Sequence, residues 1–180
     1  SETGITIMWM SAGMDEGDII MQEATAISED ENHEELSDRL SRAAAPLTLG
    51  AVAAIEEGGA PSIPQDEEEA TYAPPLKKEE QRLDWQRPVQ DIYNHVRALA
   101  PRPGAYTLWR GKRLKIYKCE KTSSVEGIPA RIVEISKRGP EVASQDGTML
   151  LVEVQPEGRK RMSGEEFVRG YHPSVGEKLE

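Results

Sequence analysis

Two groups of residues have types and spacings able to do chemistry. The first is Gly13-Met14-Asp15-Glu16-Gly17-Asp18, a compact acidic stretch between two short apolar runs. A carboxylate on a glycine-flanked turn at a strand end stands where open α/β sheets present their ligand crevice. Asp15 is therefore a candidate catalytic group. The same spacing allows a second reading, in which Asp15 only hydrogen-bonds its own turn. The second group is basic: Arg97, Arg102, Arg110, Lys112, Arg113, Lys115, Lys118 and Lys121 stand against one acid, Glu120, with Tyr106, Trp109 and Tyr117 interleaved. Arg159-Lys160-Arg161 adds a second cluster. Cations alternating with rings suit a surface that tracks a phosphate backbone; an ordinary solvated basic surface is the competing reading. The remaining candidates carry less. His33, His95 and His172 lie far apart in polar surroundings and are expected at the surface. Glu67-Glu68-Glu69 reads as a solvated charge run. The single cysteine, Cys119, makes neither an internal disulfide nor a thiolate zinc site. There is no glycine-rich phosphate loop, nucleophile elbow or metal-ligand spacing, so no metal is expected.

The elements that must position these groups follow from periodicity. Thr6–Met10 is bulky, apolar and short, which predicts a buried strand, and Ile19–Gln22 predicts a second, with Asp15 at the tip between them. Leu36, Leu40, Ala43, Leu47, Ala51 and Ala54 recur at intervals of three and four, the mark of one helical face. Asp30 or Asn32 caps that helix and Gly58-Gly59 ends it, while Pro46 is expected to kink or divide it. Two strands and one helix make a poor independent core, so residues 1–60 read as the tail of a larger α/β domain whose front is absent. Residues 61–80, Pro-rich and acidic, read as an extended linker. In residues 81–180 a short helix with Ile92, Val96 and Leu99 on one face stops at Pro101 and Pro103. Strands are then expected at 105–109, 114–117, 129–136, 140–144 and 148–154, with a hairpin turn at Asp146-Gly147. Lys115 and Tyr117 share one face of their strand, with Leu114 and Ile116 on the other. Ser163 and Glu166 have capping-box spacing for a last helix to Arg169. Five short strands with helical inserts predict a small, partly open OB-like β-barrel.

The whole chain has 180 residues, 37% of them hydrophobic, enough for one large domain or two small ones and too many for a disordered chain. Its net charge of −10 is unevenly spread: residues 1–80 hold 19 acids and 4 bases, and residues 81–180 hold 13 acids and 18 bases. A basic half keeps nucleic acid open as a partner for that half alone. Apolar runs are a handful of residues long, and no signal peptide opens the chain, so no membrane span is expected and the reading is soluble and cytoplasmic.

Taken in order, these residues resemble the methionyl-tRNA formyltransferase family. The resemblance runs through Glu2-Thr3-Gly4-Ile5-Thr6-Ile7-Met8 and Gly13-Met14-Asp15-Glu16-Gly17-Asp18. It continues in Gln65-Asp66, Ala70-Thr71-Tyr72-Ala73-Pro74, Leu83-Asp84-Trp85, Arg97-Ala98, Pro103-Gly104-Ala105-Tyr106 and Gly111-Lys112-Arg113-Leu114-Lys115-Ile116. It closes in Gln155-Pro156-Glu157-Gly158 and Arg161-Met162-Ser163. It implies the end of a Rossmann-like formyltransferase domain, a linker and a C-terminal barrel, in an enzyme that moves a formyl group from 10-formyltetrahydrofolate to the α-amino group of initiator methionyl-tRNA. The family's catalytic set is Asn, His and Asp. Asp15 matches the Asp, and the other two belong upstream, so this chain alone is expected to be inactive. The resemblance also implies that Gly13 and Met14 contact the pterin through their backbones beside Asp15. It makes Arg97, Arg102, Arg110, Lys112, Arg113, Lys115, Lys118, Arg159, Lys160 and Arg161 the tRNA-binding set. A monomer is expected. This chain has Trp9 and Ser11 where the family commonly has Gln and Asp, and Ala100-Pro101-Arg102-Pro103 where it has Asn-Pro-Trp-Pro. A sibling formyltransferase acting on an amino-sugar nucleotide and a non-catalytic RNA-binding module remain as alternatives.

Overall fold

The computed structural model describes residues 1–122 and 127–180, and the chain divides into two compact units, Ser1–Pro75 and Leu76–Glu180. Both mix helix and strand. In the first unit β1 (Glu2–Met8) and β2 (Ile19–Ala26) pair antiparallel, with Glu2 opposite Ala26 and Ile7 opposite Met21. The register slips at Met8, which meets Ile19, and the Trp9 N–H then donates to the Asp18 carbonyl at 2.9 Å. The strand expected to be buried instead alternates exposed and half-buried residues. Ile20 and Ala51 are the fully buried hydrophobic side chains described in this unit.

Helix α1 (His33–Glu56) starts at Asn32, whose side chain accepts from the Glu34 and Glu35 N–H groups while Glu35 bonds back to the Asn32 N–H. That capping box satisfies donors that would otherwise face no partner. Arg39 ties the helix to the hairpin, donating to Thr25 Oγ1 and the Ala26 carbonyl and pairing with Glu31. Pro46 does not divide the helix, which runs unbroken past it. Pro46 and Arg42 are both exposed, so the Arg42 carbonyl that loses a helical partner turns to water at little cost. A second departure concerns the stretch read as linker. Ile63 pairs with Ile19 through two backbone bonds of 2.8 and 3.1 Å, and the Trp9 indole donates to the Pro61 carbonyl at 3.0 Å. Ile19 forms a non-hydrogen-bonded pair with Met8, so its N–H and C=O point away from β1, and Ile63 partners them.

The second unit is built on α2 (Val89–Leu99) and a six-stranded antiparallel sheet: β3 (Ala105–Trp109), β4 (Lys112–Thr122), β5 (Ile132–Ser136), β6 (Gly139–Ala143), β7 (Thr148–Pro156) and β8 (Met162–Ser163). The strand order is β3-β4-β7-β6-β5, with β8 beside β7. Helix α3 (Gly164–Tyr171) follows, opened by the Ser163–Glu166 capping box. The core gathers Trp85, Ile92, Val96, Leu114, Ile116, Met149, Leu151, Val154 and Phe167. Among the described residues the named strands form an open path, not a closed barrel. The final residues nonetheless touch both of its edges. Leu108 of β3 and Glu180 exchange two backbone bonds of 2.6 and 2.8 Å, the Leu179 N–H donates to the Ala130 carbonyl at 2.7 Å, and the Ile132 N–H to Glu177 at 2.9 Å. The Trp85 indole donates to the buried Thr107 hydroxyl, which donates to the Glu180 carbonyl. No helix among the described residues is long and apolar enough to cross a membrane.

Candidate active-site turn and nucleic-acid interface

The loop joining β1 to β2 is fixed through its backbone. Gln65 reaches in and donates through Nε2 to the carbonyls of Asp15 (2.8 Å) and Gly17 (2.7 Å). Asp18 binds the Ser62 hydroxyl, and Ser11 donates to the Gly13 carbonyl at 3.3 Å. Gly17 is buried, and a Cβ there would overlap the Trp9 carbonyl, so only glycine closes the loop. Asp15 takes a left-handed backbone, φ +58°, a conformation that aspartate tolerates better than most residues. Its carboxylate is exposed and, among the described residues, takes no hydrogen bond. The carboxylate that closes the turn is that of Asp18. The Gly13 and Met14 N–H groups likewise find no acceptor among the described residues, and the Met14 side chain is 88% exposed beside them. Gln65, Ser62 and Trp9 were not legible as parts of this site.

The basic residues divide into groups. On the outer face of β3–β4–β7, Arg113 stacks over Tyr106 with its guanidinium carbon 4.3 Å from the ring centroid, and Arg161 over Tyr117 at 3.5 Å. Lys115 lies opposite Tyr106 and Gln155, and the Tyr117 hydroxyl donates to Gln155 Oε1 at 2.7 Å. Leu114 and Ile116 point into the core, as the strand period requires. Arg102, Arg159 and Lys160 are exposed in loops. Lys118 is exposed at a β-bulge, and Lys112 at the β3–β4 turn. Three cations are engaged away from this face. Arg110 pairs with Glu177 at 2.7 Å, donates to the Tyr171 and His172 carbonyls, and stacks on Trp109. Lys121 bonds Gln90 and lies over Tyr93, and Arg97 bonds Asn94. The hydrogen bond from Arg110 holds the Glu177 carboxyl below its usual range against the opposing effect of burial, with the Trp109 indole, the Arg110 charge and the Ser174 N–H adding to it. Burial, together with the Glu120 charge, pushes the Cys119 thiol up to about 12, so it stays protonated. His33 and His172 are exposed, whereas His95 is half-buried and its pKa is lowered, chiefly by that burial. Among the described residues no group of three or more His, Cys, Asp or Glu could hold a metal.

A family model described as "Formyl transferase, C-terminal domain" matches residues 75–172, and one described as "Formyl transferase" matches residues 1–52. The chain therefore belongs to the formyl transferase family. Among curated proteins, the methionyl-tRNA formyltransferase of Carboxydothermus hydrogenoformans is 45% identical over 180 residues, covering 99% of this chain and 58% of that protein. The chain thus spans a little over half the length of the relative it matches. Among solved structures, HypX from Aquifex aeolicus in complex with tetrahydrofolic acid matches with a TM-score of 0.75 at 17% identity, over 98% of this chain and 32% of that one. The N-formyltransferase from Helicobacter canadensis, in complex with folinic acid and dTDP-3-aminofucose, matches with a TM-score of 0.63 at 17% identity, over 89% and 56%. At such identities the likeness is one of fold alone.

Proposed function

We propose that this chain is the C-terminal part of a methionyl-tRNA formyltransferase, which transfers the formyl group of 10-formyltetrahydrofolate to the α-amino group of initiator methionyl-tRNA. In that reaction a bond forms between the α-nitrogen and the formyl carbon, and the bond from that carbon to the donor nitrogen breaks. The attacking nitrogen loses a proton and the leaving nitrogen gains one, while charge building on the formyl oxygen needs donors. The folate co-substrate supplies the formyl group and accepts that proton. Asp15 fits the proton traffic. Its carboxylate is left unbonded by a turn that Gln65 holds through backbone carbonyls, free to take a proton through water or to steady the imidazolium of the family's upstream histidine. Gly13 and Met14 are the residues that would meet the pterin, through the N–H groups described above.

The observation that carries the choice of tRNA over a smaller acceptor is the outer face of β3–β4–β7, where Tyr106–Arg113 and Tyr117–Arg161 stack beside Lys115. An amino-sugar nucleotide needs no positive surface of that extent. We read residues 1–60 as the end of the catalytic domain and 81–180 as a partly open OB-like barrel that binds tRNA. The bonds from Glu177–Glu180 to both sheet edges support the barrel reading. Translation places such an enzyme in the cytoplasm, and a monomer suffices for it.

The test uses the full-length gene product with 10-formyltetrahydrofolate and offers methionyl-tRNA beside an amino-sugar nucleotide. Formyl-methionyl-tRNA should form, and Asp15→Asn should lower kcat by about a hundredfold or more while leaving the melting temperature unchanged, because the side chain is exposed and unbonded. Residues 1–180 alone should show no transfer. Formylation of the sugar alone would keep Asp15 and remove the tRNA reading; transfer by residues 1–180 alone would show that no upstream residue is needed.

A further inference from the structure

The segment Ala100–Gly104 joins α2 to β3 and carries Arg102 between two prolines. Lys115 Nζ donates to the Pro103 carbonyl at 2.8 Å, and Arg161 Nη2 donates to the Pro101 carbonyl at 2.6 Å. The carbonyls on either side of Arg102 are thus each held by a cation rooted in or beside the sheet. Beneath them, Gly104 lies against the Tyr117 ring so closely that a Cβ would sit 2.6 Å from a ring carbon. The same ring carries the Arg161 guanidinium and is fixed through its hydroxyl to Gln155. Arg102 is exposed and takes no partner among the described residues.

We propose that Lys115 and Arg161 are positioning residues: they hold the Pro101–Pro103 loop so that Arg102 makes the phosphate contact with the bound RNA. This rests on the tRNA reading above. A loop ordered before binding loses less entropy on binding, and prolines on both sides of Arg102 narrow its backbone freedom further. Its guanidinium presents a planar pair of donors matched to phosphate oxygens. Lys115 and Arg161 each direct a donor at a carbonyl, so they serve the RNA contact by holding the loop in place.

Binding of methionyl-tRNA to the full-length gene product, titrated over a series of KCl concentrations, tests this. Arg102→Gln should weaken binding several-fold and lower the slope of log K against log salt by about one. Lys115→Met and Arg161→Met should each weaken binding several-fold in the native background, yet by no more than about twofold once Arg102 is already Gln. Without RNA, hydrogen exchange at the Gly104 amide should quicken in both Met variants and stay unchanged in Arg102→Gln. If the losses multiply and the double variant loses about two units of slope, Lys115 touches phosphate itself and the inference falls. An unchanged slope in Arg102→Gln overturns it as well. Wild-type protein that shows no saturable binding at low salt removes the tRNA reading, and the inference with it. A melting temperature measured for each variant separates loss of fold from loss of contact.

Discussion

Asp15 and Glu177 are both carboxylates on turns, and the structure uses them in opposite ways. Glu177 accepts from Arg110 Nη2 at 2.7 Å, Trp109 Nε1 at 2.8 Å and the Ser174 N–H at 3.0 Å, and these donors hold its pKa below the ordinary 4.5. A carboxyl whose folded pKa is depressed contributes stability that is whole above the unfolded value and is lost as pH falls through the folded one. The melting temperature should therefore decline as pH drops below about 4.5. Glu177→Gln should melt lower at neutral pH and decline less steeply in acid, and equal acid slopes for the two proteins would remove Glu177 from the account. Asp15, by contrast, is exposed, and its carboxylate takes no hydrogen bond among the described residues. Its loop is braced by Gln65 and closed by a glycine that tolerates no Cβ, which leaves the carboxylate available for the role proposed for it.

The strap formed by the last residues is the element on which the second unit depends most visibly. Leu179 is 1% exposed between β3 and the start of β5. Truncating it should cost about 2–5 kcal/mol through lost burial and the cavity left behind. Urea unfolding of Leu179→Ala reads this directly, and a change below about 1 kcal/mol would mean the strap is ornamental. Much of the rest was legible along the chain because local rules sufficed. Alternation at Leu114 and Ile116 gave the inward face of β4, Ser163 and Glu166 gave the cap of α3, and Asp146-Gly147 gave the turn before β7. What stayed hidden depends on partners distant in sequence. Nothing near Gln65 shows that its amide meets carbonyls about fifty residues earlier. The strap is four residues without a strand-like pattern. The arginines look alike in sequence, yet only the fold sends Arg110 to Glu177 and leaves Arg102 without a partner among the described residues. Pro46 was misleading for a related reason: a proline breaks a helix in proportion to what the freed carbonyl faces, and here it faces solvent.

The two units differ in both charge and core. Residues 1–75 hold 17 acids and 2 bases, and residues 76–180 hold 15 acids and 20 bases, so attraction to polyphosphate belongs to the second unit. The clustered hydrophobic core also lies wholly in residues 83–179, while the first unit fully buries little beyond Ile20 and Ala51. Expressed separately, residues 76–180 should unfold in one cooperative thermal transition, and residues 1–75 should show none. A sharp calorimetric peak from the shorter piece would contradict that. The strap also shields the sheet from its neighbours. Without residues 177–180 the outer edges of β3 and β5 would lose their backbone partners. A variant cut just before Glu177 would keep a nearly complete sheet with two open edges, a template for joining other chains edge to edge.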